Sequence, residues 1–318
     1  MKQLIKRIYR ESRFGFYISH PFIKFYQFFS MKKFLTSEKL IKKRFKKTFN
    51  YDLNLNNPKT LNEKVNWLII NETNPIATSL VDKYLVRNYI KEEIGEKYLI
   101  PLLFRTAKVS DIIPKNLPNC PFIIKTTHNS SGGIIIKNKQ DPTLNWNKIR
   151  STLRWNLADN YYWHCREKPY QNIQPQIIVE KLLFDKNNML PNDYKVHCFN
   201  GKAIMTSVYS GRLEGNLKAT TYSNSWEPLP YIWSGVVKTI TTRNDEIDPK
   251  PPNFELMIEL SEKLATSSDY LRIDWYDINN KLYFGEITFY HQGGLAPIIP
   301  KEWDQKLGMK LKLTTFNS

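Results

Sequence analysis

The order of helix and strand patterns along this chain limits the folds that it can adopt. Short apolar strands are joined by tight turns, as at Asn200-Gly201, and amphipathic helices interrupt them at irregular intervals. A capping box, Thr60-Leu61-Asn62-Glu63, opens one helix, and another helix is predicted from Leu80 to Ile94. Because helices and antiparallel strands are mixed rather than strictly alternating, the sequence predicts an α+β fold.

The remaining elements are predicted from apolar periodicity and from turn residues. Helices are expected at Trp146–Asp159 and Phe254–Ala265. Strands are expected at Tyr98–Ile100, Phe122–Lys125, Ile134–Lys137, Ile177–Leu183, Tyr194–Phe199, Ala203–Tyr209, Tyr270–Asp277 and Leu282–Tyr290. A chain of 318 residues with this many elements is expected to form two or three closely packed subdomains.

Cysteine content and hydropathy bear on the compartment. Cys120, Cys165 and Cys198 are odd in number and show no CxxC spacing, which favours a reducing compartment over a disulfide framework. No run of about 18 apolar residues predicts a membrane-spanning helix. The first residues lack the apolar core and cleavage site of a secretory signal. We therefore expect a cytoplasmic protein.

The net charge of +17 is concentrated at one end of the chain. Residues 1–50 hold fourteen Lys or Arg against only Glu11 and Glu38, a net charge of +12, and aromatic residues are interspersed among them. This pattern is typical of a helix lying on anionic lipid. It also fits a grip on single-stranded nucleic acid, or a helical hairpin whose aromatics pack on the rest of the protein.

The segment from Phe122 to Lys137 combines a lysine, a small-residue loop and two apolar strands. Lys125 closes the first strand, and Ser130-Ser131-Gly132-Gly133 precedes the second. Glycines let backbone N–H groups approach an anion, serines add hydroxyl donors, and lysine adds a positive charge. The segment is a candidate polyphosphate-binding loop, although an ordinary hairpin with a glycine turn has the same pattern. It is not a Walker A loop, because GxxxxGK[ST] is absent.

A second candidate site lies in the segment from Leu271 to Thr288. Strand alternation places Arg272 and Asp274 on one face of the first strand, and Glu286 and Thr288 on one face of the second. Two carboxylates and a hydroxyl on a common face suit Mg²⁺, which completes its coordination with water and phosphate oxygens. The alternative is an Arg–Glu cross-strand pair on a solvent-exposed face.

The loop of this hairpin decides whether the two polar faces coincide. A two-residue loop at Asn279-Asn280 in a regular hairpin would put Asp274 and Glu286 on opposite faces. A three-residue loop would instead pair Asp277 with Lys281 and bring the carboxylates to one face. If this hairpin holds a metal ion, its loop must have three residues, and the three-residue loop is therefore our prediction.

Two weaker candidates lie on the strands between these segments. Glu180, near the end of an apolar strand, is a candidate acceptor of a hydrogen bond from the exocyclic amine of adenine. The backbone near Leu182 would then form a hydrogen bond with a ring nitrogen. A strand end with solvated charges has the same pattern. Lys195, which opens the next strand, is a candidate phosphate contact.

Taken in order, these segments resemble the ATP-grasp fold, and more closely its TupA-like branch, which is found in polysaccharide gene clusters. The resemblance runs from about Thr60 to the end of the chain and rests on LNEKVNWL, VDKYLVRNYI, FIIKTTHNSSGG, IIVEKLL, DYKVHCFNGK and LRIDWYDINNKLYFGEITFY. It implies two α+β lobes that clamp ATP, preceded by a basic helical N-terminal arm. The expected segments are the arm at 1–55, a helical and α/β subdomain at 56–120, a small lobe with the phosphate loop at 121–185, and a C-terminal lobe with the metal site at 186–318.

The resemblance also implies a role for each candidate residue. Phosphates would be bound by Lys83, Lys125 and Lys195 and covered by Ser130, Ser131, Gly132 and Gly133. The adenine would be held by Glu180, Lys181, Leu182 and Leu183, and Mg²⁺ by Asp274, Glu286 and Thr288. Many ATP-grasp enzymes have Asn at the position of Thr288, so this chain departs from the pattern there. The expected catalytic set is Lys125, Lys195, Arg272 and His291.

The implied activity is ATP-dependent ligation of a carboxylate to an amine through an acyl phosphate. Arg272 would stabilise the tetrahedral oxyanion. His291, with His128 as second candidate, is expected either to accept the proton of the amine or to serve a structural or substrate-contacting role. By analogy with the branch, the carboxylate is a uronic acid of a capsule, O-antigen or cell-wall polysaccharide, and the amine is an amino acid or amino alcohol.

The arm would then contact an anionic membrane surface, or membrane-bound glycosyltransferases, at the inner face of the cytoplasmic membrane. There are three alternatives to the ligase function. A glycosyltransferase or accessory protein of the same pathways is disfavoured by the absence of DxD. A basic nucleic-acid-binding protein is disfavoured because the charge is confined to the arm. A catalytically inactive relative is disfavoured by the intact set of Lys83, Lys125, Arg272, Asp274 and Glu286.

Overall fold

The computed structural model describes residues 13–27, 36–130, 132–187, 189–210, 218–233 and 247–314. The described helices are α1 (Arg13–Gln27), α2 (Ser37–Phe49), α3 (Leu61–Asn71), α4 (Ala77–Val81), α5 (Val86–Glu93), α6 (Trp146–Ala158), α7 (Tyr162–Cys165), α8 (Phe254–Leu264) and α9 (Glu302–Lys310). The described strands are β1 (Leu102–Thr106), β2 (Phe122–Thr126), β3 (Ile134–Ile136), β4 (Ile177–Lys181), β5 (Asp193–Phe199), β6 (Lys202–Ser210), β7 (Lys218–Tyr222), β8 (Ile232–Trp233), β9 (Tyr270–Ile278), β10 (Lys281–Thr288) and β11 (Ile298–Ile299).

The chain forms two compact units. Among the described residues, unit 1 lies within 13–39, 82–85 and 100–182, and unit 2 lies within 40–81, 86–99 and 183–314. The mixture of helices and antiparallel sheets confirms the predicted α+β class. The division into four segments stays a prediction. So does the basic helical arm, of which the described parts are α1 and α2.

Unit 1 is built on an antiparallel sheet of four strands in the order β1-β4-β2-β3. One face of the sheet packs on α6, where Ile149 and Leu153 contact an apolar core that includes Phe122, Ile124 and Val179. Residues of β2 and β4 alternate between the two faces. Lys125 and Glu180 therefore lie on the face opposite α6.

Unit 2 contains an antiparallel sheet of five strands in the order β10-β9-β5-β6-β7 and a two-stranded sheet of β11 and β8. The predicted tight turn between β5 and β6 is confirmed: Asn200 and Gly201 both have positive φ, 49° and 78°, as a type I′ turn requires. The capping box of α3 is also confirmed. Thr60 Oγ1 accepts the N–H of Glu63 at 3.1 Å, and Glu63 Oε2 accepts the N–H of Thr60 at 3.0 Å.

The helix predicted from Leu80 to Ile94 is wrong as one continuous element. The structure has α4 and α5 instead, separated by residues 82–85. Asp82 Oδ1 accepts the N–H groups of Tyr84 at 2.7 Å and Leu85 at 2.9 Å. A side-chain acceptor that captures two backbone donors in this way competes with helical hydrogen bonds and ends the helix.

The predicted three-residue loop of the β9–β10 hairpin is also wrong. Ile278 pairs with Lys281, so the loop is Asn279-Asn280, and both residues have positive φ, 51° and 62°. A β-bulge at Gly285 shifts the register by one residue between the pair Phe284–Trp275 and the pair Glu286–Asp274. The carboxylates therefore reach one face through the bulge and not through the loop.

In the parts of the chain that the structure describes, no helix combines the length and the apolar run needed to cross a bilayer.

Candidate functional site

Two of the predicted nucleotide contacts meet on the sheet of unit 1. Ile123 of β2 pairs with Glu180 of β4, and Lys125 pairs with Ile178, so Lys125 and Glu180 lie on the same face in diagonal positions. Lys125 Nζ lies 2.9 Å from Glu180 Oε2. The side chains are 21% and 9% exposed, respectively. A largely buried ion pair of this kind holds both groups in fixed positions on the face opposite α6.

The break between α4 and α5 positions Lys83. Its backbone N–H donates to Thr127 O at 3.1 Å, and its Nζ donates to Asn129 O. Because Thr127 and Asn129 follow β2 directly, these bonds place Lys83 at the base of the predicted phosphate loop. Lys83 and Lys125 thus lie on two segments that meet at the end of one strand.

The predicted phosphate loop is anchored at its base. His128 Nε2 donates to Asn156 O at 2.9 Å and lies 3.0 Å from Asp159 O, both at the C-terminal end of α6. Burial lowers the pKa of His128, which outweighs the raising effect of the two carbonyl groups. The imidazole is therefore neutral at pH 7 and serves as a tether.

The loop itself is only partly described. Ser130 and Gly132 are exposed, and Ser131 lies outside the described residues. A Cβ at Gly133 would run into the Ile123 side chain of the adjacent strand. Gly133 therefore lets the chain pass closely over β2, next to the strand that carries Lys125.

The predicted adenine contacts lie at the end of β4. The N–H of Lys181 donates to Pro101 O at 3.0 Å, and the N–H of Leu182 donates to Pro121 O at 3.1 Å. Lys181 is exposed and Leu182 is buried. The Leu182 N–H is therefore already engaged within the protein, and the adenine contact of this segment stays a prediction.

The other predicted site residues meet in unit 2. Lys195 of β5 pairs in register with Asp274 of β9, and its Nζ contacts Asp274 Oδ2 and lies 2.9 Å from Asp193 Oδ2. Burial lowers the pKa of Lys195, but Asp193 and Asp274 outweigh it and raise the pKa above its ordinary value. Lys195 is therefore a permanently charged group in a buried site.

Arg272 is the centre of this cluster. Its Nε donates to Asp274 Oδ1 at 2.6 Å, and its Nη2 donates to Asp274 Oδ2 at 2.8 Å and to Glu286 Oε1 at 2.7 Å. Its Nη1 donates to His291 Nδ1 at 2.9 Å. Burial lowers the pKa of Arg272, and Asp274 and Glu286 raise it well above its ordinary value. Asp274, Glu286 and His291 therefore hold the guanidinium in one orientation.

Two buried histidines lie behind Arg272. His291 receives the Arg272 hydrogen bond at Nδ1, so its proton is on Nε2, which lies 3.3 Å from Trp233 O. His197 makes hydrogen bonds with Tyr270 OH at 2.9 Å and Ser207 Oγ at 3.1 Å. Burial lowers the pKa of both rings well below 6.5, and the nearby Arg272 and Lys195 charges act in the same direction. Both imidazoles are therefore neutral.

The residues of this cluster fit a magnesium ion that also binds phosphate. Two cations (Lys195 and Arg272) and three carboxylates (Asp193, Asp274 and Glu286) leave the cluster one negative charge in excess. The Glu286 side chain is 42% exposed and lies opposite Asp274 across the strands. Among the described residues no group of three or more His, Cys, Asp or Glu forms a metal cage. Mg²⁺ needs only one or two carboxylates when phosphates complete its shell.

Thr288, the third predicted ligand, lies beside these carboxylates. Its Oγ1 donates to Glu286 Oε1 at 3.1 Å. The bulge places it opposite Arg272. Its role as a metal ligand stays a prediction, and its observed contact orients Glu286.

Sequence reasoning missed two residues of the cluster. Asp193 pairs with Lys195, and strand alternation over the two positions was a signal that could have identified it. Gly285 forms the bulge, and glycine suits this position because a Cβ there would lie only 3.0 Å from Asp274 O. A lone glycine inside a strand pattern is a signal for such a bulge.

One family model matches the chain. Its description is TupA-like ATPgrasp, and it matches residues 63–312, well over half of the sequence. All of the candidate residues in both units lie inside the matched range. Among curated proteins, none matches the chain significantly.

Several solved structures are similar in fold. D-alanine–D-alanine ligase from Bacillus anthracis is 12% identical, with 68% of this chain and 59% of that chain covered and a TM-score of 0.39. The ATP-grasp ligase PsnB in complex with precursor peptide PsnA2 and AMPPNP is 9% identical, with coverages of 68% and 51% and a TM-score of 0.34. D-alanine–D-alanine ligase from Helicobacter pylori is 16% identical, with coverages of 73% and 59% and a TM-score of 0.36. The chain spans between half and three fifths of the length of these proteins, and at these values the similarities carry no conclusion on activity.

Proposed function

Because this chain belongs to the TupA-like ATP-grasp family, we propose that it is an ATP-dependent ligase that joins a carboxylate to an amine and releases ADP. The observation that carries the proposal is the buried Arg272 cluster, in which a guanidinium, an ammonium and an accessible carboxylate lie together on one sheet face. Such a group can bind phosphate oxygens and a divalent cation at once. That the nucleotide is ATP is inferred from family membership.

In the proposed nucleotide half, unit 1 binds ATP through the face of β2 and β4. Glu180 accepts a hydrogen bond from the adenine amine, and the backbone at the end of β4 contacts the ring. Lys125 and Lys83 bind the phosphates. The strand register supports this assignment, because it places an acceptor and a cation on one face of the sheet.

In the proposed catalytic half, unit 2 neutralises the charge that develops on the transferred phosphoryl group. The substrate carboxylate attacks the γ-phosphorus, displaces ADP and forms an acyl phosphate. The amine then attacks the acyl carbon, the bond to the phosphate breaks, and the departing phosphate takes up the proton that the amine loses. Arg272 donates to the acyl oxygen as it becomes an oxyanion, and Lys195 donates to the phosphate. Mg²⁺, held by Asp274 and Glu286, would supply further neutralisation of the phosphates.

His291 is best explained as a positioning residue rather than the base that accepts the amine proton. Both of its ring nitrogens are engaged, one by Arg272 and one by Trp233, and its side chain is fully buried. Burial and the neighbouring charges lower its pKa, which makes it a weak proton acceptor. His128 is also buried, with a lowered pKa, and its Nε2 is engaged by the Asn156 carbonyl. We propose that neutral His291 holds Arg272 in the orientation that the oxyanion needs.

For the substrates we propose a uronic acid of a bacterial surface polysaccharide and a small amine such as an amino acid or amino alcohol. This finer assignment rests on the family's association with polysaccharide gene clusters. A cytoplasmic location follows from it, because such polymers are assembled on lipid carriers at the inner membrane face.

The first test is a thermal shift with the ATP analogue AMP-PNP, with and without Mg²⁺. At a hundred times its Kd the analogue should stabilise the wild type by about 2.7 kcal/mol. We expect Lys125→Met to lose this shift, and Glu286→Gln to lose only its dependence on Mg²⁺. Exposed residues of the same units, Lys108 and Glu302, supply matched controls as Lys108→Met and Glu302→Gln.

The second test is ADP release with panels of uronic acids and amines. Release that requires one member of each panel would support the substrate assignment. If the folded wild type shows no shift with AMP-PNP and Mg²⁺, the ligase proposal is wrong. If the shift occurs but no carboxylate promotes ADP release, only the substrate class is wrong.

A further inference from the structure

Helix α1 exposes a continuous row of large apolar side chains. Phe14, Ile18 and Phe22 follow one another at intervals of four residues and are 77%, 50% and 73% exposed. Tyr17 and Phe25 extend the row and are 60% and 65% exposed. Residues at these spacings lie on one face of a helix. Contiguous apolar surface of this kind marks an interaction site, because scattered exposed apolar residues are normal but a row of five is not.

The opposite face of α1 determines how the row is directed. Phe16 is buried, and its ring lies 4.8 Å from the Trp155 ring of α6 in an edge-to-face arrangement. His20, one turn further, stacks on Phe16 at 4.8 Å. Burial lowers the pKa of His20, and the nearby Lys24 charge lowers it further. This packing against α6 anchors α1 in unit 1 and turns the row away from it.

The charges of the surrounding sequence identify the kind of surface that the row fits. Residues 1–50 carry fourteen Lys or Arg and a net charge of +12. On α1 itself, the exposed Lys24 flanks the row. A surface that matches an apolar row within such a basic segment is apolar and anionic at the same time.

We propose that α1 binds the interfacial region of an anionic lipid bilayer, with Phe14, Ile18 and Phe22 among the acyl chains and the lysines at the lipid phosphates. An anionic lipid surface has both properties, and an amphipathic helix that lies in its plane buries an apolar row and presents cations beside it. The row includes an aliphatic side chain and no described cation within it, which fits insertion better than base stacking. The arm lies outside the range that the family model matches, so this binding is separate from the ligase function.

The test is co-sedimentation of the full-length protein with phosphatidylcholine vesicles that contain or lack phosphatidylglycerol. We expect binding to the anionic vesicles, weakened by salt, and little binding to the neutral ones. The affinity of the variant Phe14→Gln/Ile18→Gln/Phe22→Gln for these vesicles should fall by roughly tenfold or more, because burial of apolar side chains contributes most of the free energy of partitioning. Glutamine keeps a high helix propensity, so the helix itself should persist.

A matched control removes three exposed apolar residues elsewhere, as Ile76→Gln/Ile247→Gln/Met309→Gln, and should bind like the wild type. Near-ultraviolet circular dichroism and melting temperature establish that both variants fold. Three results would overturn the proposal. The first is that the wild type does not bind vesicles. The second is that the wild type and the α1 variant bind vesicles equally. The third is that the wild type binds a single-stranded oligonucleotide instead of vesicles, and that the α1 variant no longer binds it.

Discussion

At the scale of single residues, Gly285 decides the geometry of the proposed metal site. The β9–β10 hairpin has a two-residue loop, which in a regular ladder would send Asp274 and Glu286 to opposite faces. The bulge at Gly285 adds one residue on β10 and brings Glu286 directly opposite Asp274. The side chain of any other residue at this position would press on the Asp274 backbone, whose carbonyl oxygen and carbon lie 3.0 and 3.3 Å from the Cβ position.

We therefore predict that Gly285→Ala impairs magnesium binding more than folding. The β9 backbone at Asp274 lies between β5 and β10 and cannot move freely, so the bulge must shift and Glu286 must move with it. We expect a cost of about 1–3 kcal/mol in stability and the loss of most of the Mg²⁺ dependence of the AMP-PNP thermal shift.

Gly132→Ala serves as the control for stability alone, because a Cβ there meets nothing within 4 Å while Gly132 lies in the predicted phosphate loop. Its stability should stay within about 0.5 kcal/mol of the wild type. Wild-type magnesium dependence in Gly285→Ala would show that the bulge does not set the site.

At the scale of elements, the interruption between α4 and α5 has a functional consequence. Apolar periodicity favours one helix there, yet Asp82 captures two backbone N–H groups and ends α4. The freed backbone N–H of Lys83 then donates to Thr127 O, beyond the end of β2. A continuous helix would use that donor internally and would direct Lys83 elsewhere.

Replacing Asp82 tests whether the interruption positions Lys83. In Asp82→Ala the acceptor is gone and the helical alternative is favoured, so we expect the affinity for AMP-PNP to fall by about tenfold, or roughly 1.4 kcal/mol. Asp82→Asn keeps a side-chain oxygen that can accept both N–H groups and should bind nearly like the wild type. Isothermal titration calorimetry measures both. Equal loss in the two variants would assign the effect to the charge of Asp82 rather than to the turn.

At the scale of the whole molecule, buried neutral histidines link folding to pH. His128 in unit 1 and His197 and His291 in unit 2 are at most 2% exposed, and burial lowers the pKa of each. In the unfolded chain these groups return to a pKa near 6.5. Below that pH the unfolded state therefore binds protons that the folded state does not bind.

We predict that the free energy of unfolding decreases as the pH falls below about 6.5. Each of these histidines contributes a slope of up to about 1.4 kcal/mol per pH unit, until the pH reaches its lowered folded-state pKa. Urea denaturation at a series of pH values measures the slope. His197→Asn should reduce it by the share of one histidine, whatever its effect on stability at pH 7. A free energy that does not change between neutral pH and pH 5 would contradict the prediction.

The accuracy of the sequence predictions depended on how local their signals were. The capping box of α3 and the turn at Asn200-Gly201 were correct because each depends on a few adjacent residues. The helix through residues 82–85 was wrong because one side chain, Asp82, acts against the local periodicity. The three-residue hairpin loop was wrong because it was inferred from the need to bring the carboxylates together, which the bulge at Gly285 does instead.

By itself, the sequence determined the α+β class, most strand and helix positions, the resemblance to the family, and the shared face of Arg272 and Asp274, because periodicity and alternation act within single elements. Only the tertiary structure decided that Lys125 forms an ion pair with Glu180, that Lys83 contacts the base of the predicted phosphate loop, and that Glu286 faces Asp274. Those contacts join separate segments of the chain. Their geometry depends on strand register, and a single bulge or turn that alternation cannot reveal changes that register.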